Sequence, residues 1–442
     1  MLDYSYKGIL KVALPIMLSG FIQSVISITD AAFLGHFSRE AYDAASTGGL
    51  WHITLSMILI GWNDGAQIKM AQYIGEKRLD RFESSFIANI LILSVSTIIL
   101  LLFVQFISES FLLETTNNKA LAQGEFRFIE IRSYSFIASI FSLSIQAKLL
   151  AEGKTKFVLF YSLIVALTNV ILDYCLIFGK YGFPRWGMEG AAIASTVAEI
   201  IGMLFYLVVF LKKNSSLILI RFNDFKTTSF QVYENIKIGF PLLLQGFVAL
   251  SVWTLFFILI EKMGSEKLTI SLNIRHIYFI AFVPVWGFAG ATKTFIAQYV
   301  GARELEVIPF IQKRIQLMCV LFLVICFHGA VLYPEYLISL VNSDELLISR
   351  TANILRIVSG AILIYGLGSV YFQSISGIGF TRYTFYIEVI STVVYIVSAY
   401  LFIVVLESEL EVVWLVEYIY FITMGGLSLL FLKRYNWKKR YE

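Results

Sequence analysis

Apolar runs of about 20 residues recur along the whole sequence, and a bilayer-spanning α-helix needs a run of about that length. Hydrophobic residues make up 58% of the 442 residues and charged residues 15%, so a soluble protein of this size would lack polar surface. The runs do not show the period-two alternation of membrane β-strands. The sequence therefore predicts an all-α polytopic membrane protein embedded in the lipid bilayer.

Twelve runs meet the length criterion, and we number them spans 1 to 12. They cover residues 11–34, 50–74, 84–107, 129–150, 157–178, 188–211, 236–260, 272–298, 308–332, 351–375, 383–406 and 412–432. With twelve spans, 22 of the 35 Lys and Arg residues lie in the loops and tails on the side of the N-terminus or in the span ends next to them. By the positive-inside rule we expect both termini to be cytoplasmic, in the cytoplasmic membrane of a cell.

The two halves of the sequence are related by a constant shift of 226 residues. Under this shift Pro15 falls on Pro241, and the segment AQYIG at 71–75 falls on AQYVG at 297–301. The shift predicts two pseudo-symmetric six-helix lobes, residues 1–213 and 236–442, joined by a cytoplasmic linker at 214–235. Duplicated lobes around a central site are the usual basis of alternating-access transport.

Four polar residues of the first half have no polar counterpart in the second half. Asp30, Asn169, Asp173 and Thr196 fall on Phe256, Tyr395, Ala399 and Ile422. All four lie about 6–14 Å below the outer surface at a rise of 1.5 Å per residue. If these side chains were needed to build a lobe, the second lobe should carry them too. Their asymmetry therefore favours a function confined to the first lobe.

Two parts of the sequence carry a family resemblance: Pro15 with Asp30 in span 1, and NVILDYCLIFGKYGFPRWGMEGAAIAST at 169–196. In these parts the sequence resembles the multidrug and toxic compound extrusion (MATE) family, and its DinF-like branch in particular. The resemblance implies an exporter that moves small drug-like or metabolite compounds outward against inward flow of Na⁺ or H⁺. It needs no cofactor, and we expect it to act as a monomer without a nucleic-acid partner.

The resemblance also implies a cation site in the first lobe, and the matching positions are Asp30, Asn169, Asp173 and Thr196. Two ionised carboxylates close together in a medium of low dielectric repel, so a bound cation or a shared proton would stabilise them. Proton binding needs only the two acids, whereas the amide and hydroxyl oxygens favour Na⁺. Span 7 is apolar until Glu261 at its outer end, which argues against a cation site in the second lobe.

Other residues within the spans have weaker assignments. Pro15 and Pro241 should kink spans 1 and 7, either as inherited bends or as elements coupled to ion binding. Five charged residues could line the transport cavity or form structural pairs: Asp64, Lys69, Glu199, Lys293 and Glu388. Arg132, near the outer end of span 4, should extend toward the interface or pair with a carboxylate.

The main alternative function is a flippase for lipids or lipid-linked oligosaccharides. Such a protein should have a strongly cationic cavity to bind phosphates, whereas the few internal cations here are accompanied by acids. An intramembrane enzyme is a weaker alternative, because the four histidines form no HExxH motif and no nucleophile–base arrangement is evident. We therefore expect a transporter and not an enzyme.

Overall fold

The computed structural model describes residues 1–115, 118–213, 225–339 and 344–441, and all regular secondary structure in these ranges is helical. We label the long helices α1 to α13. They are α1 Tyr6–Phe37, α2 Arg39–Gly75, α3 Leu79–Phe103, α4 Lys119–Ser133, α5 Ser135–Ala151, α6 Lys156–Phe178, α7 Met188–Lys213, α8 Phe225–Glu261, α9 Ser265–Gly301, α10 Ile308–Phe327, α11 Glu345–Ile378, α12 Thr381–Tyr400 and α13 Val416–Arg434.

Short helical segments extend or connect the long helices. Two are π-helical, Val104–Ser108 after α3 and Leu401–Val405 after α12. The remaining short segments are Glu109–Thr115, Leu305–Val307, Gly329–Leu332, Pro334–Ser339, Leu410–Val413 and Trp437–Arg440.

In the described residues, eleven helices are long and apolar enough to cross a membrane, and α4 with α5 forms one further bent span. The all-α prediction with twelve spans is therefore confirmed. Span 4 was predicted as an uninterrupted run at 129–150, but the chain bends by 46° between α4 and α5. At the bend the Tyr134 N–H donates to the Ile131 carbonyl three residues back, so the regular i to i−4 ladder is interrupted there.

The chain divides into two compact units. The N-terminal unit comprises Leu18–Tyr73 and Arg78–Leu243, and the C-terminal unit comprises Met1–Met17, Ile74–Lys77 and Leu244–Glu442. These units differ from the predicted lobes 1–213 and 236–442 because α1 and α8 each begin in one unit and continue in the other. The change of unit comes two residues after Pro15 in α1 and two residues after Pro241 in α8.

The predicted linker 214–235 is partly helical. Residues 214–224 lie outside the described residues, while residues from Phe225 onward belong to α8. This stretch is polar in sequence, but two of its polar side chains, Gln231 and Asn235, are buried and hydrogen-bonded to the N-terminal unit. The Tyr73 hydroxyl donates to Gln231 Oε1 at 2.8 Å, and the Ser85 hydroxyl donates to Asn235 Oδ1 at 2.9 Å. Polar groups that form hydrogen bonds can be buried at little cost, so the polarity of a segment does not by itself predict that the segment is exposed.

Close helix crossings at glycines hold the N-terminal parts of α1 and α8 in place. A Cβ on Gly61 of α2 would lie 2.5 Å from Leu243 Cα, and a Cβ on Gly287 of α9 would lie 2.0 Å from Met17 Cγ. The 226-residue shift relates Gly61 to Gly287 and Met17 to Leu243, so the same crossing occurs once in each unit. Small residues permit such close approach of helices in membranes.

The core of the C-terminal unit contains one large cluster and smaller satellite clusters, and the N-terminal unit contains several small clusters. The large cluster includes Phe256, Phe288 and Trp414, which are fully buried. In the N-terminal unit, one cluster joins Leu34 of α1 and Phe128 of α4 to helices α6 and α7. This packing fixes the relative positions of the helices that carry the polar residues of the first lobe.

We predict that Gly61→Ala destabilises the protein, because the added methyl would meet backbone atoms of α8 that cannot move aside. Overpacking of this kind typically costs about 1–3 kcal/mol. The midpoint of thermal unfolding in detergent should fall relative to the wild type. The matched control is Gly49→Ala in the same helix, where nothing lies within 4 Å of the added Cβ. Equal midpoints for the two variants would contradict the proposed crossing.

Candidate functional site

The structure brings together Asp30 of α1 and Asp173 of α6. Asp173 is 0% exposed, and the Asp30 carboxyl lies within hydrogen-bonding range of the Asp173 carboxyl. Asn169 lies one helical turn before Asp173 on the same face of α6 and is 1% exposed. The three side chains therefore form a compact group inside the N-terminal unit.

Four buried oxygen atoms of this group have no hydrogen-bond partner among the described residues. They are Asp30 Oδ1, both carboxylate oxygens of Asp173, and Asn169 Oδ1. The Asn169 amide nitrogen instead donates to the Ser195 hydroxyl at 3.1 Å. Two unit charges 4 Å apart repel by about 4 kcal/mol at an effective dielectric constant of 20. A proton or a cation between the carboxyls would remove this repulsion and satisfy the buried oxygens.

Thr196 lies on α7 close to this group, but its hydroxyl is used within the helix. It donates to the Ala192 carbonyl at 2.8 Å and is 3.4 Å from the Ile131 carbonyl. This is the common bond of a threonine to the carbonyl four residues earlier. The neighbouring Ser195, which the sequence analysis did not select, accepts the bond from Asn169 and lines the adjacent cavity.

A cavity of about 340 Å³ lies inside the N-terminal unit beside Asp30 and Asn169. We call it the N-terminal cavity. Helices α1, α2, α4, α6 and α7 contribute its walls. Besides Asp30 and Asn169, its polar lining includes Gln23, His52, Arg132, Tyr161, Ser195 and Glu199. Asp30 and Asn169 therefore face a space that is large enough for several water molecules or a small organic group.

An internal ion pair shares the N-terminal cavity with Asp30. Arg132 Nη2 donates to Glu199 Oε1 at 2.7 Å, with side-chain exposures of 11% and 26%. Of the two expectations for Arg132, extension to the interface or pairing with a carboxylate, the structure shows the pairing. Glu199 both lines this cavity and forms a structural pair, so it combines the two alternatives that the sequence leaves open. Arg132 Nη1 has no hydrogen-bond partner in the described part of the chain.

The other predicted cavity residues have different locations. Glu388 lines a second cavity of about 260 Å³ inside the C-terminal unit, which we call the C-terminal cavity. Lys69 pairs with Glu234 at 3.1 Å, so that charge is structural. Asp64, Lys69 and Lys293 are not among the residues lining either cavity, and for Lys69 the structure shows the second of the two alternatives, a structural pair.

The two cavities occupy equivalent positions of the repeat. Seven lining residues of the N-terminal cavity fall, under the 226-residue shift, on lining residues of the C-terminal cavity. The pairs include Ser27 with Trp253, Ile53 with Phe279, Asn169 with Tyr395 and Ser195 with Phe421. The counterparts of Asp30 and Asn169 are Phe256 and Tyr395, whose rings are 5.3 Å apart. The repeat therefore keeps the cavity and replaces its polar lining with aromatic rings.

The sequence model of the MatE family matches this chain twice, at residues 15–175 and 241–401. The two matches are offset by 226 residues at both ends, so the internal repeat coincides with the unit of the family. Each match begins at one of the two prolines, Pro15 and Pro241, and the first includes Asp30, Asn169 and Asp173.

Relatives with similar sequences extend over nearly the whole chain. A protein of Thermotoga maritima named probable multidrug resistance protein NorM is 25% identical over 98% of this chain and 93% of its own length. A protein of the same name from Agrobacterium fabrum is 19% identical over 84% of this chain and 79% of its own length.

Solved structures share the fold. The crystal structure of MATE in the straight conformation has a TM-score of 0.88 at 16% identity, covering 98% of this chain and 95% of that chain. A MOP superfamily transporter from Pyrococcus furiosus, described as having a binding pocket of reverse polarity, has a TM-score of 0.85 at 17% identity, covering 96% and 94%. At these identities the comparison establishes the twelve-helix architecture alone.

We predict that Glu199→Gln destabilises the protein more than the double change Arg132→Met with Glu199→Met. The single change leaves a buried guanidinium without its counter-charge, which costs about 3–5 kcal/mol in a buried pair, whereas apolar replacement of both partners is often neutral. The order of stability of the two variants is measured by thermal unfolding of the purified proteins in detergent. A double variant that is less stable than Glu199→Gln would show that the pair itself stabilises the fold.

Proposed function

Because the chain belongs to the MatE family, we propose that it exports small organic compounds across the membrane by alternating access, driven by inward flow of a cation. The observation that carries this proposal is the set of buried oxygens around Asp30 and Asp173 without a hydrogen-bond donor. Such oxygens are costly in an apolar interior unless a positive ion occupies the site. The names of the relatives, multidrug resistance protein NorM, support a drug-like substrate.

The coupling ion acts on the N-terminal unit through its charge. With the ion bound, the two carboxyls can approach each other, and α1 and α6 can pack closely around them. Without it, the repulsion between Asp30 and Asp173 favours an arrangement in which the two helices are separated or hydrated. An ion shifts such an equilibrium by its difference in affinity for the two states. Pro15 and Pro241 lie two residues before the points where α1 and α8 continue from one unit into the other. Proline favours a kink, so these positions are suited to bending of the two helices.

We favour Na⁺ over H⁺ as the coupling ion. Asn169 Oδ1 is a neutral oxygen that lacks a donor beside Asp173, and a hard monovalent cation uses neutral oxygens in addition to carboxylates. A proton would need the two acids alone. Thr196 is the weakest of the four proposed ligands because its hydroxyl already bonds to the helix backbone. The cation and the organic compound are substrates, and the cycle needs no cofactor.

The charge of the cavities gives no support to a lipid or lipid-linked oligosaccharide flippase. Among the described residues, Arg132 is the one Lys or Arg that lines the N-terminal cavity, and it is paired with Glu199. In the same ranges of the chain, no Lys or Arg lines the C-terminal cavity. Binding of phosphates favours several cationic or hydrogen-bond-donating groups. We further propose that the protein acts as a monomer in the cytoplasmic membrane with both termini inside.

Replacement of Asp173 by Asn should abolish ion-driven export while the protein still inserts and folds. The amide keeps the shape of the side chain and removes one of the two charges that bind the ion. Export by everted vesicles or proteoliposomes measures the effect. The matched control is Asp80→Asn, an exposed aspartate of α3 outside both cavities, which should export normally. Full export by the Asp173→Asn variant would refute the proposed coupling site.

A Na⁺ gradient imposed on proteoliposomes at constant pH should drive export of an organic test compound. The expected dependence on Na⁺ follows from the buried neutral oxygen of Asn169, which a proton does not require. Gradients of Na⁺ and pH are varied independently in the same preparation. Export driven by the pH gradient alone would identify H⁺ as the coupling ion and would refute the preference for Na⁺.

A further inference from the structure

Arg132 is a buried positive charge that the ion-coupling site proposed above does not use. It lies in the last turn of α4, two residues before the bend at Tyr134, and its side chain lines the N-terminal cavity. The residue is 9% exposed. A guanidinium keeps its charge at any physiological pH. The N-terminal cavity therefore always contains a cation that belongs to the protein itself.

The hydrogen-bonding capacity of this guanidinium is only partly used. Arg132 Nη2 donates to Glu199 Oε1 of α7 at 2.7 Å, whereas the buried Nη1 has no hydrogen-bond partner in the described ranges of the chain. A buried donor on a charged group is costly to leave without an acceptor. Arg132 can therefore accommodate a further acceptor.

Acceptors without partners are present in the ion-coupling site. Asp30 Oδ1 and both carboxyl oxygens of Asp173 are buried and have no hydrogen bond among the described residues. Asp30 lines the same cavity as Arg132, and the charge of Arg132 interacts electrostatically with both aspartates. An unsatisfied cationic donor and three unsatisfied carboxyl oxygens thus lie at or beside one cavity.

The N-terminal cavity offers Arg132 two possible counter-charges. Of the described residues that line it, two are acids, Glu199 and Asp30, and Asp30 in turn contacts Asp173. The other ionisable side chains of the lining are His52 and Tyr161, and neither of these residue types is an anion at neutral pH. The guanidinium can therefore pair with Glu199 or with the two aspartates.

These two partners differ in how well they tolerate loss of a positive charge. The Glu199 side chain is 26% exposed, so water can replace part of its bond to Arg132. Asp173 is 0% exposed, and its carboxyl lies within hydrogen-bonding range of the Asp30 carboxyl. A desolvated pair of carboxylates is far more costly to leave without positive charge than a partly hydrated single one. When the coupling ion leaves, the guanidinium should therefore be more stable beside the aspartates.

The cavity leaves room for such a change of partner. Its volume is about 340 Å³, which is larger than the head group of an arginine side chain needs. Arginine carries its charge on a long stem with several rotatable bonds. Rotation of these bonds moves the charge without any change in α4 or in its bend.

We propose that Arg132 replaces the coupling ion when the ion leaves, by moving from Glu199 to the carboxyls of Asp30 and Asp173. An arriving ion displaces the guanidinium back to Glu199, because two positive charges cannot occupy the same pair of carboxylates. The inference rests on the proposed function, since it assigns one step of the ion-coupled cycle to a residue of the chain. The structure shows the Glu199-paired position, which is the one that the bound ion should favour.

This exchange would keep the two aspartates neutralised in both halves of the transport cycle. Without Arg132, loss of the ion exposes two buried carboxylates to their mutual repulsion. With Arg132, the leaving ion is replaced by a tethered cation, so release of the ion costs less. The same tethered cation competes with the ion for the site. Arg132 should therefore weaken ion binding and speed ion release.

The test measures export by proteoliposomes as a function of the concentration of the coupling ion, Na⁺ or H⁺, that drives it. Arg132→Gln should lower the ion concentration for half-maximal export at least tenfold and should also lower the maximal rate, because the ion binds without a competitor and leaves slowly. Arg132→Lys keeps a movable cation and should restore both values to within a few-fold of wild type. The matched control is Arg127→Gln on the same helix. Arg127 is 51% exposed in its side chain and pairs with Glu189 outside the cavity, so this variant should change neither value.

A double-mutant cycle with Glu199 distinguishes a guanidinium that changes partners from a fixed charge. Glu199→Gln leaves the guanidinium with the aspartates and should raise the half-maximal ion concentration at least tenfold. Once Arg132 is replaced, Glu199 has no guanidinium to hold, so the double variant should match Arg132→Gln alone. Effects of the two changes that simply add in the double variant would show that the guanidinium does not change partners and would overturn the proposal.

Thermal unfolding in detergent gives a second readout, which does not depend on transport, and it verifies that each variant folds. The coupling ion should raise the unfolding midpoint of the wild type more than that of Glu199→Gln, because in the variant the bound ion displaces the guanidinium to a position without a counter-charge. The instability predicted above for Glu199→Gln should accordingly be greatest at saturating ion. Equal stabilisation of the two proteins by the ion would contradict the exchange.

The wild-type protein separates failure of this inference from failure of the proposed function. If neither a Na⁺ nor a pH gradient drives export, the proposed coupling is refuted and the exchange is refuted with it. If a gradient drives export while Arg132→Gln keeps the wild-type half-maximal ion concentration and maximal rate, the proposed function stands. Arg132 is then a structural partner of Glu199 and the inference is wrong.

Discussion

Each unit depends on a close helix crossing at a glycine, Gly61 in the N-terminal unit and Gly287 in the C-terminal unit. At these glycines the N-terminal parts of α8 and α1 approach the backbone of α2 and α9 so closely that a single methyl would collide. In hydrocarbon, helices gain no hydrophobic energy by associating, so close van der Waals contact and hydrogen bonds must hold them. The crossing occurs once in each repeat, so the two units share the same close contact between helices.

Within this common framework the two cavities have diverged in chemistry. The same backbone positions carry Asp30 and Asn169 in one unit and Phe256 and Tyr395 in the other. Beside one cavity lie paired carboxylates whose buried oxygens have no donor in the described part of the chain, while two glutamates among aromatic rings line the other. Duplication of a six-helix lobe thus supplies two similar cavities whose side chains can specialise independently.

Several residues could be placed from the sequence because local pattern decides their position. Asn169 and Asp173 share a face by their i, i+4 spacing, and their lack of a polar counterpart in the second half singled them out. Asp30 lies on a different helix, and its proximity to Asp173 was an expectation from common depth that the structure supports. The partner of Arg132 could not be identified from the sequence, because Glu199 is 67 residues away and no local pattern links the two residues.

The sequence by itself determined the number of spans, the all-helical class and the duplication, since hydrophobic length and a constant repeat shift are local or linear properties of the chain. Tertiary structure alone decided that α1 and α8 begin in the opposite unit, that α4 and α5 bend at Tyr134, and that aromatic rings surround Glu388. These features depend on which helix faces meet across long sequence separations. That choice is made by packing and hydrogen bonding among all helices together, so no single segment of the sequence contains it.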